Sequence, residues 1–420
     1  MHALVDAIQN RAWQELLQRL LAADDSEAAE LIDRLAKIVR RPRAEPPFDR
    51  ISAGDAARLI QIGMRVRLPT HHLGEHFANE QLLFWFVYFR HPVFAKVICE
   101  SYAECPESLR FYALTVIAAQ QDNASASKLK DLIKEFGLPA RMGPRFFWEL
   151  GKNIELYAAF LPQLIARADR FIADVVNLIN SAIADGLLTS EDILISAVEI
   201  RSQTAALLNK VFSSQQGRAT DSSEYQDAVA LLGPWIDLCG HLPCDEELLA
   251  DFARLTDPYL QSCTVATQLR WQREPPHETI MTIANDPICR VGLFQVLSKR
   301  TDLFPAEFRT FERFAESDMA TWIRNDCYEP ADALELVDTF MSSEQDIEQY
   351  FCLWRFRMNG VDYAGISGPY ETLEPDGPIH GNDTFSRFDE WDSQSPQAHI
   401  DAILGNLENW RACGAATGSD

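Results

Sequence analysis

Apolar residues recur at helical spacing along most of this chain, and this periodicity limits its fold more than any other feature. Between Ser52 and Val211 the apolar positions return every three or four residues, and the runs are separated by short breaks. Such spacing gives each helix one apolar face, which must be buried against a neighbouring element. The sequence therefore predicts a mainly α-helical protein.

Breaks in this pattern predict five segments. They are an N-terminal helical hairpin at 1–45, a helical domain at 46–214, an acidic helical-repeat region at 224–345, a β-hairpin plus helix module at 346–411, and a disordered tail at 412–420. The boundary in the middle follows from the polar run Gln215–Ser223, which has no apolar anchor and is typical of a mobile surface segment.

An Asn-Gly pair predicts one β-hairpin in this helical chain. Asn359-Gly360 separates two runs in which apolar and polar residues alternate. Asn-Gly favours a type I′ turn, because both central residues of that turn adopt positive φ. The resulting register pairs Met358 with Val361, Arg357 with Asp362 and Phe356 with Tyr363. One face of the hairpin would then carry Trp354, Phe356, Met358, Val361 and Tyr363.

The net charge of −24 comes almost wholly from the second half of the chain. Residues 1–220 carry 26 acids and 25 bases, whereas residues 221–420 carry 36 acids and 13 bases. An acidic surface repels nucleic acid and anionic lipid, and it accelerates association with a basic protein. The charge therefore predicts a basic protein partner, without direct binding to nucleic acid or membrane. The alternative is that the acidity only maintains solubility.

The sequence shows neither a membrane span nor a secretory signal. Its most apolar stretch, Leu82–Phe89, is far shorter than the about 20 residues that a helix needs to cross a bilayer. Met1–Asp6 lacks the basic start of a signal peptide. The nine cysteines are scattered, as expected for reduced thiols in a cytosol. We therefore expect a cytoplasmic protein.

Signatures of catalysis are sparse. We find no phosphate loop, dinucleotide fingerprint or nucleophile elbow, and we expect neither a cofactor nor a catalytic residue. His71, His72 and His76 form the densest histidine group, and on a helix the last two would share one face. Pro69 and Gly74 favour a turn instead. A metal-dependent enzyme that uses these histidines remains an alternative.

Acids and aromatic residues are concentrated near the C-terminus. The aromatic residues are Trp354, Phe356, Tyr363, Tyr370, Phe385, Phe388 and Trp391. Because a short module needs large side chains to form a core, we expect most of these rings to be buried. The alternative is that some of them are exposed and form a contact surface rimmed by acids. On that basis we assign partner binding to Asp376, Asp383, Asp389, Glu390, Trp391 and Asp392.

Paired helical stripes recur at roughly 35- to 45-residue intervals in the second half. The pairs are Ala228–His241 with Asp245–Leu255, His277–Ile283 with Arg290–Ser298, and Ala306–Glu316 with Ser317–Ile323, which leads into Pro330–Phe340. In this pairing and spacing, the chain resembles HEAT- or armadillo-type α-solenoids between Phe146 and Phe340. An irregular helical domain is the rival interpretation.

The chain also resembles bacterial helical-repeat proteins, some of which act as immunity proteins against secreted toxins. This resemblance implies a non-enzymatic protein that occludes the active cleft of a basic toxin or nuclease. A helical scaffold or adaptor protein is the alternative, and the oligomeric state stays open.

Overall fold

A computed structural model describes residues 15–32, 52–65, 77–87, 91–165, 171–216, 222–327, 331–344, 347–370 and 388–403, apart from isolated positions within these ranges. The described chain is mainly helical, and a small antiparallel sheet lies near its C-terminal end. The mainly α prediction is confirmed. Contacts divide the chain into two compact units, and the boundary falls between Glu199 and Ile200.

The first unit is built from helices. Described residues between 15 and 22 and between 27 and 32 are helical. The helices that follow are α1 (Ala53–Arg65), α2 (Phe77–Trp85), α3 (Val93–Ser101), α4 (Glu107–Ala119), α5 (Asn123–Phe136), α6 (Pro144–Gly151), α7 (Leu161–Ile165) and α8 (Ile172–Ala184). Short 3₁₀ turns connect several of them.

Local sequence signals set the ends of these helices. Helix α5 begins where the Asp122 carboxylate accepts the backbone N–H of Ser125 at 2.8 Å, which satisfies an otherwise unpaired donor. It ends at Gly137, whose φ of 79° favours glycine because it has no Cβ. Helix α6 begins with Pro144, which fits the first turn of a helix.

Apolar faces and a few buried polar contacts hold the first unit together. Helix α1 packs against α2 and α3, and α4 packs against α2, α5 and α6. In α2 the buried Asn79 amide donates to the carbonyl of Gly63 at 2.9 Å, which joins α2 to α1. The Tyr157 hydroxyl donates to the carbonyl of Ala118 at 3.2 Å, and burial raises the pKa of this tyrosine.

The second unit begins with seven helices. They are α9 (Ala197–Gln216, which starts at the boundary), α10 (Ser223–Cys239), α11 (Glu246–Phe252), α12 (Pro258–Arg270), α13 (His277–Asn285), α14 (Arg290–Val296) and α15 (Phe311–Cys327). Side chains of Ser222, Asp245 and Asp257 cap α10, α11 and α12. Helix α10 packs against α12, and α13 packs against α12 and α14.

A buried arginine connects three of these helices. Arg290, with 1% of its side chain exposed, donates from Nε to the carbonyl of Ala284 at 2.6 Å. Its Nη1 donates to a Glu316 carboxylate oxygen at 2.8 Å and contacts the carbonyl of Arg313. The guanidinium thus satisfies carbonyls at the end of α13 and fixes α14 against α15, which identifies it as a structural ion.

A four-stranded antiparallel sheet follows the helices. Its strands β1 (Ala333–Glu344), β2 (Ile347–Met358), β3 (Val361–Tyr370) and β4 (Phe388–Glu390) lie in chain order across the sheet. Met358 pairs with Val361, Arg357 with Asp362 and Phe356 with Tyr363. Asn359 and Gly360 adopt φ values of 50° and 77°, as a type I′ turn requires. The predicted hairpin and its register are therefore confirmed.

Two helix predictions near the sheet are wrong. Ala306–Glu316 and Ser317–Ile323 were expected to be separate helices, but α15 runs without a break from Phe311 to Cys327, and residues 306–308 form a 3₁₀ turn. Residues Pro330–Phe340 were expected to be helical, but β1 begins at Ala333 and pairs with β2 along its whole length. A β-bulge between Leu336 and Asp338 interrupts the alternation of the strand, which hides its period in the sequence. The sheet therefore includes residues 333–344 of the predicted repeat region 224–345.

Each face of the sheet has its own core. On the first face, Trp354, Phe356, Met358 and Tyr370 pack with Phe311, Ala315, Met319 and Ile323 of α15. On the second face, Phe351, Leu353, Ala364 and Ile366 pack with Ile400 and Ile403, which lie in a helical segment at residues 396–403. The predicted final helix, Gln397–Trp410, is confirmed up to residue 403, and its remainder lies outside the described residues.

Hydrogen bonds join Trp354 to α15 through the first of these cores. The Trp354 indole Nε1 donates to Ser367 Oγ at 2.8 Å. The Tyr370 hydroxyl lies 2.9 Å from Ser367 Oγ and 2.9 Å from a carboxylate oxygen of Asp318 in α15. Burial and the Asp318 charge raise the pKa of Tyr370, so the phenol stays protonated. The rings of Trp354, Phe356 and Tyr370 are core side chains, as predicted.

Candidate partner-binding surface

Two arginines of the predicted hairpin are bound to one carboxylate. Arg357 donates from Nε to Asp362 Oδ1 at 2.6 Å and from Nη2 to Oδ2 at 3.2 Å, and Arg355 contacts the same Oδ2. Hydrogen bonds from both guanidinium groups lower the pKa of Asp362 to about 2. Both arginines therefore share this one carboxylate within the sheet, although their side chains remain partly exposed.

Trp391 packs on the second face of the sheet. Its backbone N–H donates to the carbonyl of Asp362 at 2.7 Å, and its ring stacks on that of His399 with 4.5 Å between centroids. The Arg355 guanidinium lies 5.6 Å from the indole centroid. The half-buried Trp391 therefore fixes the chain after β4 against the sheet. The partner-binding role assigned to it from the sequence stays a prediction.

The buried His399 belongs to the same arrangement. Its Nε2 lies 3.5 Å from Asp392 Oδ1, and its ring stacks on Trp391, which packs against the second core. Asp392 Oδ1 also accepts the backbone N–H of Gln394 at 2.7 Å. This hydrogen bond, a second one from the Gln394 side-chain amide at 2.6 Å, and the nearby histidine lower the pKa of Asp392. Asp392 is thus ionised and largely exposed. His399 could not be identified from the sequence, because its contacts with Trp391 and Asp392 depend on the packing of residues 396–403.

The structure describes four of the six predicted site residues, which are consecutive in the sequence. Glu390, Trp391 and Asp392 are consecutive at the end of β4, and both acids are exposed. The backbone of Asp389 pairs with Ala364. Asp376 and Asp383 lie outside the described residues.

Strand β1 contributes two acids that sequence analysis missed. Glu335 and Asp338 are exposed, and among the described residues neither has a lysine, arginine or histidine nitrogen within 4.0 Å. A signal for them exists in the sequence, because residues 325–354 contain eight acids and no lysine or arginine. Because Pro330–Phe340 was expected to be a helix, the position of these acids on a sheet edge was not predicted.

The first unit contains a cleft of different chemistry. Helices α6 and α8 line a cavity of about 490 Å³ that includes Trp148, Lys152 and Asp174. Trp148 is 53% exposed, and its ring lies 3.7 Å from Lys152 Nζ. Lys152 is also 3.0 Å from the buried Glu149 carboxylate. Burial raises the pKa of Asp174. The cleft offers mixed polar and aromatic contacts without a nucleophile paired to a base.

Metal binding has no support in the described part of the chain. No group of three or more His, Cys, Asp or Glu side chains there is arranged to hold a metal ion. The His71, His72 and His76 group lies outside the described residues. No described helix combines the length and the apolar character that crossing a bilayer requires.

Comparisons with protein-family models, curated proteins and solved structures find no match for this chain. Its function must therefore be argued from its own residues.

Proposed function

We propose that this protein binds a basic protein partner through its acidic C-terminal region and acts as an immunity or inhibitor protein that occludes a basic toxin or nuclease. In this proposal the protein is not an enzyme and acts in the cytoplasm. The paired helices of the second unit would follow one another as in an α-solenoid, an arrangement that the packing of α10 on α12 and of α13 on α14 supports.

One observation carries the proposal: the two described arginines of the sheet share one carboxylate within it, whereas several of its described acids face solvent. Arg355 and Arg357 both bind Asp362. Glu335, Asp338 and Glu390 are exposed, and no cationic nitrogen of the described residues lies within 4.0 Å of them. Because acids outnumber bases in this part of the chain, we expect its surface field to be negative, which suits a surface that meets a cationic protein.

Electrostatic attraction of this kind acts mainly on the rate of association. Residues 301–420 carry 24 acids and 7 bases. Such a field extends over about 8–10 Å at physiological salt and shrinks to a few ångströms near 0.5 M. A nuclease is an apt partner class, since its cleft is built to bind a polyanion, and an array of carboxylates can occupy the same positive field.

The first test is affinity capture from the native cytosol with the purified protein as bait, followed by washes at low and at high salt and mass spectrometry. We expect one stoichiometric, basic partner. In a kinetic binding measurement with that partner, the association rate should fall by at least about tenfold between 50 mM and 500 mM salt. An association rate that does not change with salt would contradict electrostatic attraction.

Two further measurements separate the alternatives. If the captured partner is toxic when expressed alone and harmless when co-expressed with this chain, the inhibitor function holds. A harmless partner would favour the scaffold or adaptor alternative. Elemental analysis tests the enzyme alternative, because a stoichiometric metal would favour a site at His71, His72 and His76.

A further inference from the structure

Strand β1 is a long edge of the sheet. The described strands lie in the order β1-β2-β3-β4, so β1 pairs with β2 on one side only. Ala333, Glu335, Asp338, Thr339 and Met341 are all exposed. In an antiparallel strand, alternate backbone N–H and C=O groups point away from the single neighbour. The outer side of β1 therefore offers backbone donors and acceptors, apart from the Thr339 N–H, which already donates to Asp338 Oδ1 at 2.8 Å.

We propose that this edge accepts an extended basic segment of the partner as an additional strand. The inference rests on the proposed function and specifies how the partner is held. Backbone hydrogen bonds would supply affinity, and side chains at alternate positions would supply specificity. After the bulge, Asp338–Glu344 pairs regularly with β2 for seven consecutive residues, so an incoming strand meets a regular edge there.

The register of β1 defines the chemistry of the incoming segment. Glu335 pairs with Arg355 and Asp338 pairs with Leu353, so both acids lie on the second face of the sheet. The bulge at Leu336–Asp338 keeps them on one face despite the odd spacing. A partner strand with lysine or arginine at every second residue would place its cations beside these acids.

The other face of the same edge carries three apolar side chains and the hydroxyl of Thr339, which pairs with Cys352 of the first core. Leu334 and Leu336 pack partly buried against the first core, and Met341, which pairs with Tyr350, is 53% exposed. An incoming strand would cover Met341 with its own apolar side chains. The segment that fits β1 therefore alternates basic and apolar residues.

A second copy of this chain is a poorer occupant. Strand β1 contains Glu335, Asp338 and Glu344, and it has no lysine or arginine. Pairing two such strands would bring acids of both copies to one junction without any cation from either strand. Like charges on neighbouring strands destabilise the pairing. Charge complementarity therefore selects a basic partner.

The test uses three twelve-residue peptides and hydrogen–deuterium exchange of the full chain. One peptide alternates lysine and valine, the second replaces three of its valines by proline at the same charge, and the third alternates glutamate and valine. Proline removes backbone donors that a strand needs. We expect the first peptide to bind and to slow exchange of amides 333–344, and the other two to leave these amides unchanged.

Matched charge variants locate the contact. The edge variant combines Glu335→Lys with Asp338→Lys, and the control combines Glu274→Lys with Glu307→Lys, two exposed acids outside the sheet. Both change the net charge by the same amount. We expect the lysine–valine peptide to bind the edge variant about tenfold more weakly, and the control less than about threefold more weakly.

The outcomes separate this inference from the proposed function. If the lysine–valine peptide binds without slowing exchange at 333–344, or if both variants weaken it equally, the edge is not the site and acidic recognition still stands. Equal protection by the proline-containing peptide would refute strand pairing. If the basic peptide does not bind at all, both the edge site and the acidic recognition are refuted.

Discussion

Replacing Trp354 by alanine should lower the free energy of unfolding of the sheet module far more than a surface substitution would. The indole is 2% exposed and packs between β2 and α15, and its Nε1 donates to Ser367 Oγ. Truncating a buried tryptophan costs about 3–5 kcal/mol, because apolar burial is lost and a cavity remains. This total already includes the lost hydrogen bond, which contributes about 1 kcal/mol. We therefore expect the module to lose about 3–5 kcal/mol of stability.

The assay must report on the module itself, because a chain with two compact units does not unfold in one two-state step. Native-state hydrogen exchange of the amides in β2 and β3 meets this need. The Trp354→Ala substitution should accelerate their exchange by about two to more than three orders of magnitude.

Two controls make this prediction specific. Trp354→Phe keeps much of the ring and removes only the donor and part of the volume, so the expected loss is about 1–2 kcal/mol. Trp148→Ala removes a half-exposed indole from the first unit and should leave exchange in β2 and β3 unchanged. If Trp354→Ala accelerates exchange by less than about tenfold, Trp354 is not a principal core residue and the reasoning fails.

Three other changes have defined outcomes. Two guanidinium groups hold the pKa of Asp362 at about 2, below that of an unfolded aspartate. The ionised carboxylate therefore stabilises the fold fully above about pH 4, and this contribution is lost as the pH falls towards 2. An NMR titration of the carboxyl with a midpoint near pH 4 would contradict this. Arg290→Met leaves helix-end carbonyls without their donor and removes one of the two arginines that bind Glu316, and we expect a loss of about 2–4 kcal/mol in urea unfolding of the second unit. Changing Asp389, Glu390 and Asp392 to amides should slow association with the captured partner severalfold while the chain stays folded, because an amide oxygen at position 392 can still accept the Gln394 N–H. An unchanged association rate would remove these acids from the site.

The hairpin was predictable from the sequence because its determinants are local. Asn359 and Gly360 set the turn, and the two-residue loop then fixes the register, so the pairing of Arg357 with Asp362 follows without tertiary information. The N-cap at Asp122 and the glycine end at Gly137 are likewise local signals. These features depend on neighbours within a few positions of the chain.

Strand β1 and the surroundings of Trp391 could not be predicted in the same way. The bulge after Leu336 places Val337 and Phe340 on the second face, so the apolar residues of β1 follow neither period 2 nor period 3.6 cleanly. Trp391 is held by His399 and by the sheet, and a stacking contact of this kind depends on how residues 396–403 pack. The bulged strand β1 and the stacking of Trp391 on His399 both depend on contacts between residues that are distant in the sequence or on different elements.

The two separate cores of the sheet have a consequence for synthesis of the chain on the ribosome. The first core needs α15 and the strands up to Tyr370, whereas the second also needs Ile400 and Ile403, which are translated later. Translation proceeds at about 5–20 residues per second, so some seconds pass between the synthesis of the strands and the synthesis of Ile400 and Ile403. Until then the apolar side chains of Phe351, Leu353 and Ile366 have no helix to pack against. During that interval the nascent sheet presents an apolar face, and we expect this to be the stage at which chaperones engage the protein.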